Sequence, residues 1–167
     1  MVKSNQKLSA KTRVAQALRY IDPETGAIIP PIQSSATFAR DENYETRKPY
    51  WYKRDGNETT SHAEAMIADL EEADDTLLFS SGMSAATAVI DHLEEKSHVV
   101  VPRAMYHGVL HQFKTYEQKG RLEVSYYEAG DLNELSEVIR DNTALVWAET
   151  PNNPDWAVTD IKKASVI

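Results

Sequence analysis

The run His98-Val99-Val100-Val101-Pro102 is the tightest constraint on what this chain can fold into. Consecutive β-branched residues with no polar alternation suit a strand buried on both faces, and the proline stops it; strands of that kind belong to parallel sheets. The flanking segments agree. Met83 to Leu93 reads as a helix with Glu94-Glu95-Lys96-Ser97 as its polar exit, Val109 to Lys119 as a helix ended by Gly120, and Asp131 opens a helix that reaches Arg140. Leu77-Leu78-Phe79 and Ala144 to Ala148 read as further buried strands, and Leu122 to Tyr127 alternates as another. Strands alternating with helices of about ten residues are βαβ units, so the expected fold class is α/β, a mainly parallel sheet with helices on both faces.

In such a sheet ligands sit beyond the carboxyl ends of the strands. That selects three loops: Ser80 to Met83, Arg103 to Gly108 and Glu149 to Pro154. The first is a small-residue turn between an apolar run and the Ala-rich helix that starts at Met83. Gly82 lets a ligand approach the backbone, and the free N–H groups of the helix start favour an anion. Many strand-to-helix turns hold nothing, so the turn by itself is an anion cup or a plain connection. It lacks the repeated glycines of a dinucleotide loop and the Gly-Lys-Ser end of a P-loop. A single phosphate site with Tyr106 at a neighbouring strand end suggests a phosphorylated aromatic cofactor, with Tyr106 as a stacking plate. His107 and His111 have the spacing of a helical zinc pair, but no glutamate follows His107 and no third ligand is near; no metal is expected. Glu149 stands at a strand end, as a structural carboxylate or a functional one.

The first 60 residues are of another kind. Thr12 to Tyr20 reads as a short helix with Val14, Ala15, Leu18 and Ile21 on one face, and Asp22 to Gly26 as a turn. Ile28 to Phe38 contains two prolines and is an extended surface segment. From Ala39 to Asn57, Tyr44, Tyr50, Trp51 and Tyr52 stand among Arg40, Arg47, Lys48, Lys53 and Arg54, a composition of partner or ligand surfaces or of an arm packed on its own domain. Thr59-Thr60-Ser61 offers caps for a helix from His62 to Ala73, with Ala63, Met66, Ile67 and Leu70 on one face.

Composition narrows the partners. A net charge of −8 argues against nucleic acid or an anionic membrane, which need a basic face. The absence of cysteine removes disulfides and thiolate metal sites, Met1 to Lys7 has no apolar core of a leader, and no run approaches a membrane span. A cytoplasmic protein is expected.

Six blocks in order then match a family. They are Thr12-Arg13-Val14 with Asp22 to Ile32, Ser35-Ala36-Thr37-Phe38, Tyr52 to Asn57, Phe79 to Met83, Tyr106-His107-Gly108, and Glu149-Thr150-Pro151-Asn152-Asn153-Pro154. The chain resembles the Cys/Met-metabolism enzymes that use pyridoxal 5'-phosphate (PLP), the group of cystathionine γ-synthase, the cystathionine lyases and methionine γ-lyase. The match covers almost all of this chain and about the first two fifths of a family member. It implies the first part of the fold type I, aminotransferase-like large domain over residues 61–167, preceded by an arm, residues 1–60, exchanged across a dimer. Gly82 and Met83 would hold the cofactor phosphate through their N–H groups, and Tyr106 would stack on the ring. Tyr52 and Arg54 would reach the phosphate from the neighbouring subunit, with Tyr52 also helping to activate the substrate amine, and Asn153 would lie near the cofactor hydroxyl and the substrate carboxylate.

Departures are equally readable. Family members usually have Gly-Asn-Pro-Thr where this chain has Gly56-Asn57-Glu58-Thr59, and a bulky residue where Gln33 stands. The family's Schiff-base lysine, its pyridine-nitrogen aspartate and its C-terminal domain would follow Ile167. Lys162 and Lys163 read as solvated and cannot substitute, because such a lysine must be partly desolvated. The expected function is therefore a PLP-dependent elimination or γ-replacement on a sulfur amino acid or homoserine ester, cystathionine γ-synthase-like. It would be carried out as a homo-oligomer or with a C-terminal half, without which the chain should be inactive. A non-catalytic remnant that acts as an interaction partner is the alternative.

Overall fold

A computed structural model describes residues 8–46 and 49–167, so the expectations for Met1 to Lys7, Arg47 and Lys48 lie outside the described residues. The chain forms two compact units, one up to Leu78 and one from Phe79 to Ile167.

Among its described residues the first unit holds two α-helices, α1 (Ala10–Ala15) and α2 (Glu58–Glu71), with turns and isolated bridges between them. Helix α1 is shorter than the expected Thr12–Tyr20 helix, and a 3₁₀ turn follows at Ala17–Arg19 whose three residues all have positive φ. Val14, Leu18 and Ile21 stay exposed, so no packed apolar face supports continuation of the helix. Asp22 closes the next turn as expected, its Oδ1 accepting from the N–H groups of Glu24 (3.1 Å) and Thr25 (2.7 Å). Helix α2 starts four residues before the expected position. Asn57, only 2% exposed, caps it by accepting from the Thr60 N–H, and asparagine is among the best caps. The hydroxyls expected to cap hold the extended chain instead. Thr59 Oγ1 accepts from the Gln33 N–H at 2.8 Å, and Ser61 Oγ pairs with the Tyr50 hydroxyl at 2.9 Å.

The second unit is a three-stranded parallel sheet of order β2-β1-β3, formed by β1 (Ser97–Pro102), β2 (Leu122–Tyr127) and β3 (Thr143–Val146). Alternate residues of β1 face opposite layers. Val99 and Val101 pack with Ala86 and Ile90 of α3 (Gly82–Asp91) and with Val109 and Phe113 of α4 (His107–Gln118). Val100 packs with Tyr127 and with Leu135 of α5 (Leu132–Val138), and Ala164 of α6 (Ile161–Ala164) adjoins that cluster. The α/β class and the helices on both faces are as expected. Asp131 caps α5 as expected, accepting from the N–H groups of Asn133 and Glu134. Among the described residues no helix is long and apolar enough to cross a membrane.

Two strand expectations fail. Leu77-Leu78-Phe79 is extended but pairs with no strand among the described residues, and Leu77 is 71% exposed. An apolar run becomes a buried strand only if a ladder partner and covering layers exist, which hydrophobicity cannot report. Strand β3 ends at Val146, which is partly exposed, because β3 is an edge of this sheet.

His98, fully buried at the amino end of β1, links all three strands. Its Nδ1 lies 2.8 Å from Thr143 Oγ1 of β3 and its Nε2 2.9 Å from Ser125 Oγ of β2. The register slips beside it, where His98 faces Thr143 but Val99 faces Leu145. Burial, reinforced by the charge of Arg140 and opposed by Glu123, holds the imidazole pKa below its ordinary 6.5. The unfolded chain then binds more protons at this residue than the folded one just below 6.5, so the contribution of His98 to stability is flat above that pH and falls as the pH drops through it. Urea unfolding at a series of pH values checks this. Replacing His98 by Leu should flatten the response and cost roughly 1–3 kcal/mol at neutral pH, from the loss of two buried hydrogen bonds, although both hydroxyls keep a bond from Arg140.

Candidate functional site

The site is built where the three strands end. Chain leaves β1 at Arg103, whose N–H donates to the Tyr127 carbonyl at the end of β2 (2.8 Å). The Arg103 guanidinium pairs with Glu128 (3.0 Å) and with Glu134, which holds the loop from outside; these ions are partly exposed, so they orient the loop more than they stabilise it. The buried Tyr127 hydroxyl donates to the Trp147 carbonyl beyond β3 (3.1 Å). Two cross-links then join the loop after β1 to the loop after β3. The Tyr106 N–H donates to Glu149 Oε2 (3.1 Å), and Asn152 Nδ2 donates to the Ala104 carbonyl (2.9 Å) and to Asp155 Oδ1 (2.7 Å). That second bond is the main cause of the lowered Asp155 pKa.

These links frame a cleft of about 780 Å³ whose lining includes Gly82, Met83, Tyr106, Glu149, Thr150 and Asn153. Four residues singled out from the sequence, Gly82, Met83, Tyr106 and Asn153, therefore meet at one place. Tyr52 and Arg54 belong to the first unit and do not line this cleft; there the Arg54 guanidinium stacks on the Tyr52 ring, 4.8 Å from its centroid. In the same unit the Arg40 guanidinium lies 5.2 Å from the Trp51 ring and 5.6 Å from the Tyr44 ring.

The cup has the parts that an anion needs. Ser81 caps α3, its Oγ accepting from the Ser84 N–H (3.1 Å) and its carbonyl from the Ala85 N–H (3.1 Å). The N–H groups of Gly82 and Met83, at the first two helical positions, head the helix at the cleft lining. Gly82 has no left-handed φ that would require glycine, and a Cβ built on it meets nothing within 4 Å. The chain itself does not need glycine there, whereas a group that must approach the backbone does. A phosphate fits this cradle. Tyr106 is 39% exposed and lines the same cleft, as a plate for a planar ring must.

Sequence reasoning passed over Trp147 and Asn152 and left Glu149 open. Trp147 is a wall of the cleft, packed edge-on against Phe113 at 5.7 Å, and its buried Nε1–H has no partner among the described residues. Asn152 is 2% exposed and structural, unlike its neighbour Asn153. Glu149 receives a backbone N–H that opens α4 without a side-chain cap of its own. The only sequence signal for these roles is position just past a strand.

Comparison with known proteins identifies the family. The family model described as Cys/Met metabolism PLP-dependent enzyme matches residues 11–167. Cystathionine beta-lyase of Coxiella burnetii is 32% identical over 98% of this chain and 42% of its own, and cystathionine gamma-lyase of Saccharomyces cerevisiae is 34% identical over 92% and 39%. The structure of cystathionine gamma synthase from Xanthomonas oryzae pv. oryzae in complex with cystathionine superposes with a TM-score of 0.84, at 29% identity over 95% of this chain and 41% of that one. The chain thus spans about two fifths of the length of these relatives. With the α/β fold, the cup and the six sequence blocks in agreement, the chain belongs to the Cys/Met-metabolism family of PLP-dependent enzymes.

Proposed function

We propose that this chain forms the first part of a PLP-dependent enzyme of sulfur amino-acid metabolism, catalysing elimination or γ-replacement on cystathionine, a homoserine ester or a related amino acid, with a cystathionine γ-synthase-like reaction as the best single assignment. The observation that carries it is the convergence of Gly82, Met83, Tyr106 and Asn153 on one cleft at the carboxyl ends of a parallel sheet. When bound, PLP supplies an electron sink for charge developed at the substrate α-carbon.

Each residue has a separate task. The Gly82 and Met83 N–H groups bind the phosphate at the positive end of α3. Tyr106 covers one ring face and keeps water from it. Asn153 donates its amide to the cofactor hydroxyl or the substrate carboxylate. Glu149, engaged by the Tyr106 N–H, fixes the loop that carries the plate. Residues 1–60 act as an arm that a neighbouring copy exchanges. In that arrangement Arg54 lends a two-pronged clamp to the phosphate and Tyr52 takes a proton from the substrate amine. The assembly is a homo-oligomer in the cytoplasm, and the Schiff-base lysine comes from outside residues 1–167.

The cup is tested by comparing PLP with pyridoxal, which lacks the phosphate. The purified protein should bind PLP at least about tenfold more tightly, since one charge-assisted hydrogen bond contributes roughly 1.5–3 kcal/mol and each ~1.4 kcal/mol is a factor of ten. Gly82→Val, which fills the cradle, should abolish that preference and leave pyridoxal binding unchanged. Equal affinity for the two compounds in the unmodified protein would exclude the assignment.

A further inference from the structure

Gly108 sits inside the first turn of α4, one residue after His107, where glycine is a poor helix former. Its backbone offers no reason for glycine, because its φ is not in the left-handed region. The reason is steric. A Cβ placed on Gly108 would come within 2.9 Å of Tyr106 Cε1, closer than real Cβ contacts allow, and 3.0 Å of Met83 Sδ, which is tight. The Tyr106 ring and the Met83 thioether therefore occupy the space that any side chain at 108 would take. Both atoms border one point, the side-chain position of residue 108, the ring edge on one side and the thioether sulfur on the other. The His107 ring is a neighbour of the Tyr106 ring, with centroids 4.8 Å apart and planes tilted by 49°.

This seat joins two parts of the cleft that come from different elements. Met83 belongs to the helix whose first N–H groups form the cup, and Tyr106 precedes the helix after β1. We propose that Gly108 is a positioning residue: by lacking a side chain it lets the Tyr106 ring lie back against Met83, presetting the plate at a fixed place relative to the cup. The inference rests on the reading of Tyr106 as the plate for the cofactor ring. Both displaced atoms are on side chains that can move, and the ring is 39% exposed, so a methyl group at 108 shifts the ring without unfolding the protein. Alanine also suits a helix better than glycine does. Seat and stability are thereby separable.

The test uses Gly108→Ala in the purified protein, with three readouts. Thermal unfolding should be unchanged or slightly higher. The ¹³C-methyl signal of Met83, one of four methionines and assigned with Met83→Leu, should move while that of Met66 stays. PLP affinity should fall about tenfold and the circular dichroism of bound PLP should change, whereas the affinity for inorganic phosphate, which needs only the cup, should hold. Should Gly108→Ala unfold, the double variant Gly108→Ala with Met83→Ala returns the lost space and is read by PLP affinity and dichroism in the same way. An unmoved Met83 signal overturns the seat. A moved signal with wild-type PLP affinity and dichroism overturns the positioning role. If the unmodified protein binds no PLP, the reading of Tyr106 fails and the positioning role falls with it, while the Met83 shift still reports whether the seat exists.

Discussion

Burial of β1 on both faces is the constraint on which the second unit depends. Val99, Val100 and Val101 are each 0% exposed, and their alternation sends two side chains into the α3–α4 layer and one into the α5–α6 layer. Full burial of such a side chain contributes about 1.5–3 kcal/mol, so three in succession outweigh any single polar contact in the unit. A strand so placed must be central, and parallel neighbours on both sides follow from the helical crossovers that cover it. The consequence is functional. All three strands end on the same side, so the loops after β1 and β3 are neighbours although Tyr106 and Glu149 are 43 residues apart in sequence.

The two ends of the sheet then differ in chemistry. At the amino end His98 is enclosed between two hydroxyls, its pKa lowered by burial, in a polar network that links the three strands and is joined by Arg140. At the carboxyl end the backbone N–H groups of Gly82 and Met83 and the face of Tyr106 are left available at an open cleft. Glu149 Oε2 and Asn152 Nδ2 bond to the framework of the loops, while Asn153 and the cup line the cleft. Within the second unit the cup offers backbone N–H groups at a helix start, the kind of donor that favours an anion, in a chain whose net charge is −8.

Much of this was legible in residue order. The β-branched run, the Asp131 cap and Gly120, with its φ of 69°, marked element boundaries through local physics. Tyr106 was legible because it lies in a loop that follows a strand, Gly82 and Met83 because a small-residue turn opens an Ala-rich helix, and Asn153 through the family's sequence block. What was not legible depended on partners distant in sequence. Leu77 to Phe79 looked like a strand because apolar character does not reveal whether a ladder partner exists. Asn57 was passed over as a cap because three hydroxyl residues follow it, and only the tertiary bonds of Thr59 and Ser61 show that those hydroxyls are used elsewhere. Gly108 resembled any loop glycine until the Tyr106 ring and Met83 were seen to fill its side-chain space.

The central claim is that a phosphate-bearing planar cofactor enters at the carboxyl end of this sheet and is anchored by the start of α3. Backbone amide spectra of the ¹⁵N-labelled protein, recorded while PLP is added, test it residue by residue. The account predicts that the Gly82 and Met83 amides shift most, followed by Tyr106 and Asn153, while His98 and its hydroxyl partners at the opposite end stay in place. Shifts centred on the His98 end, or on neither end, would contradict it.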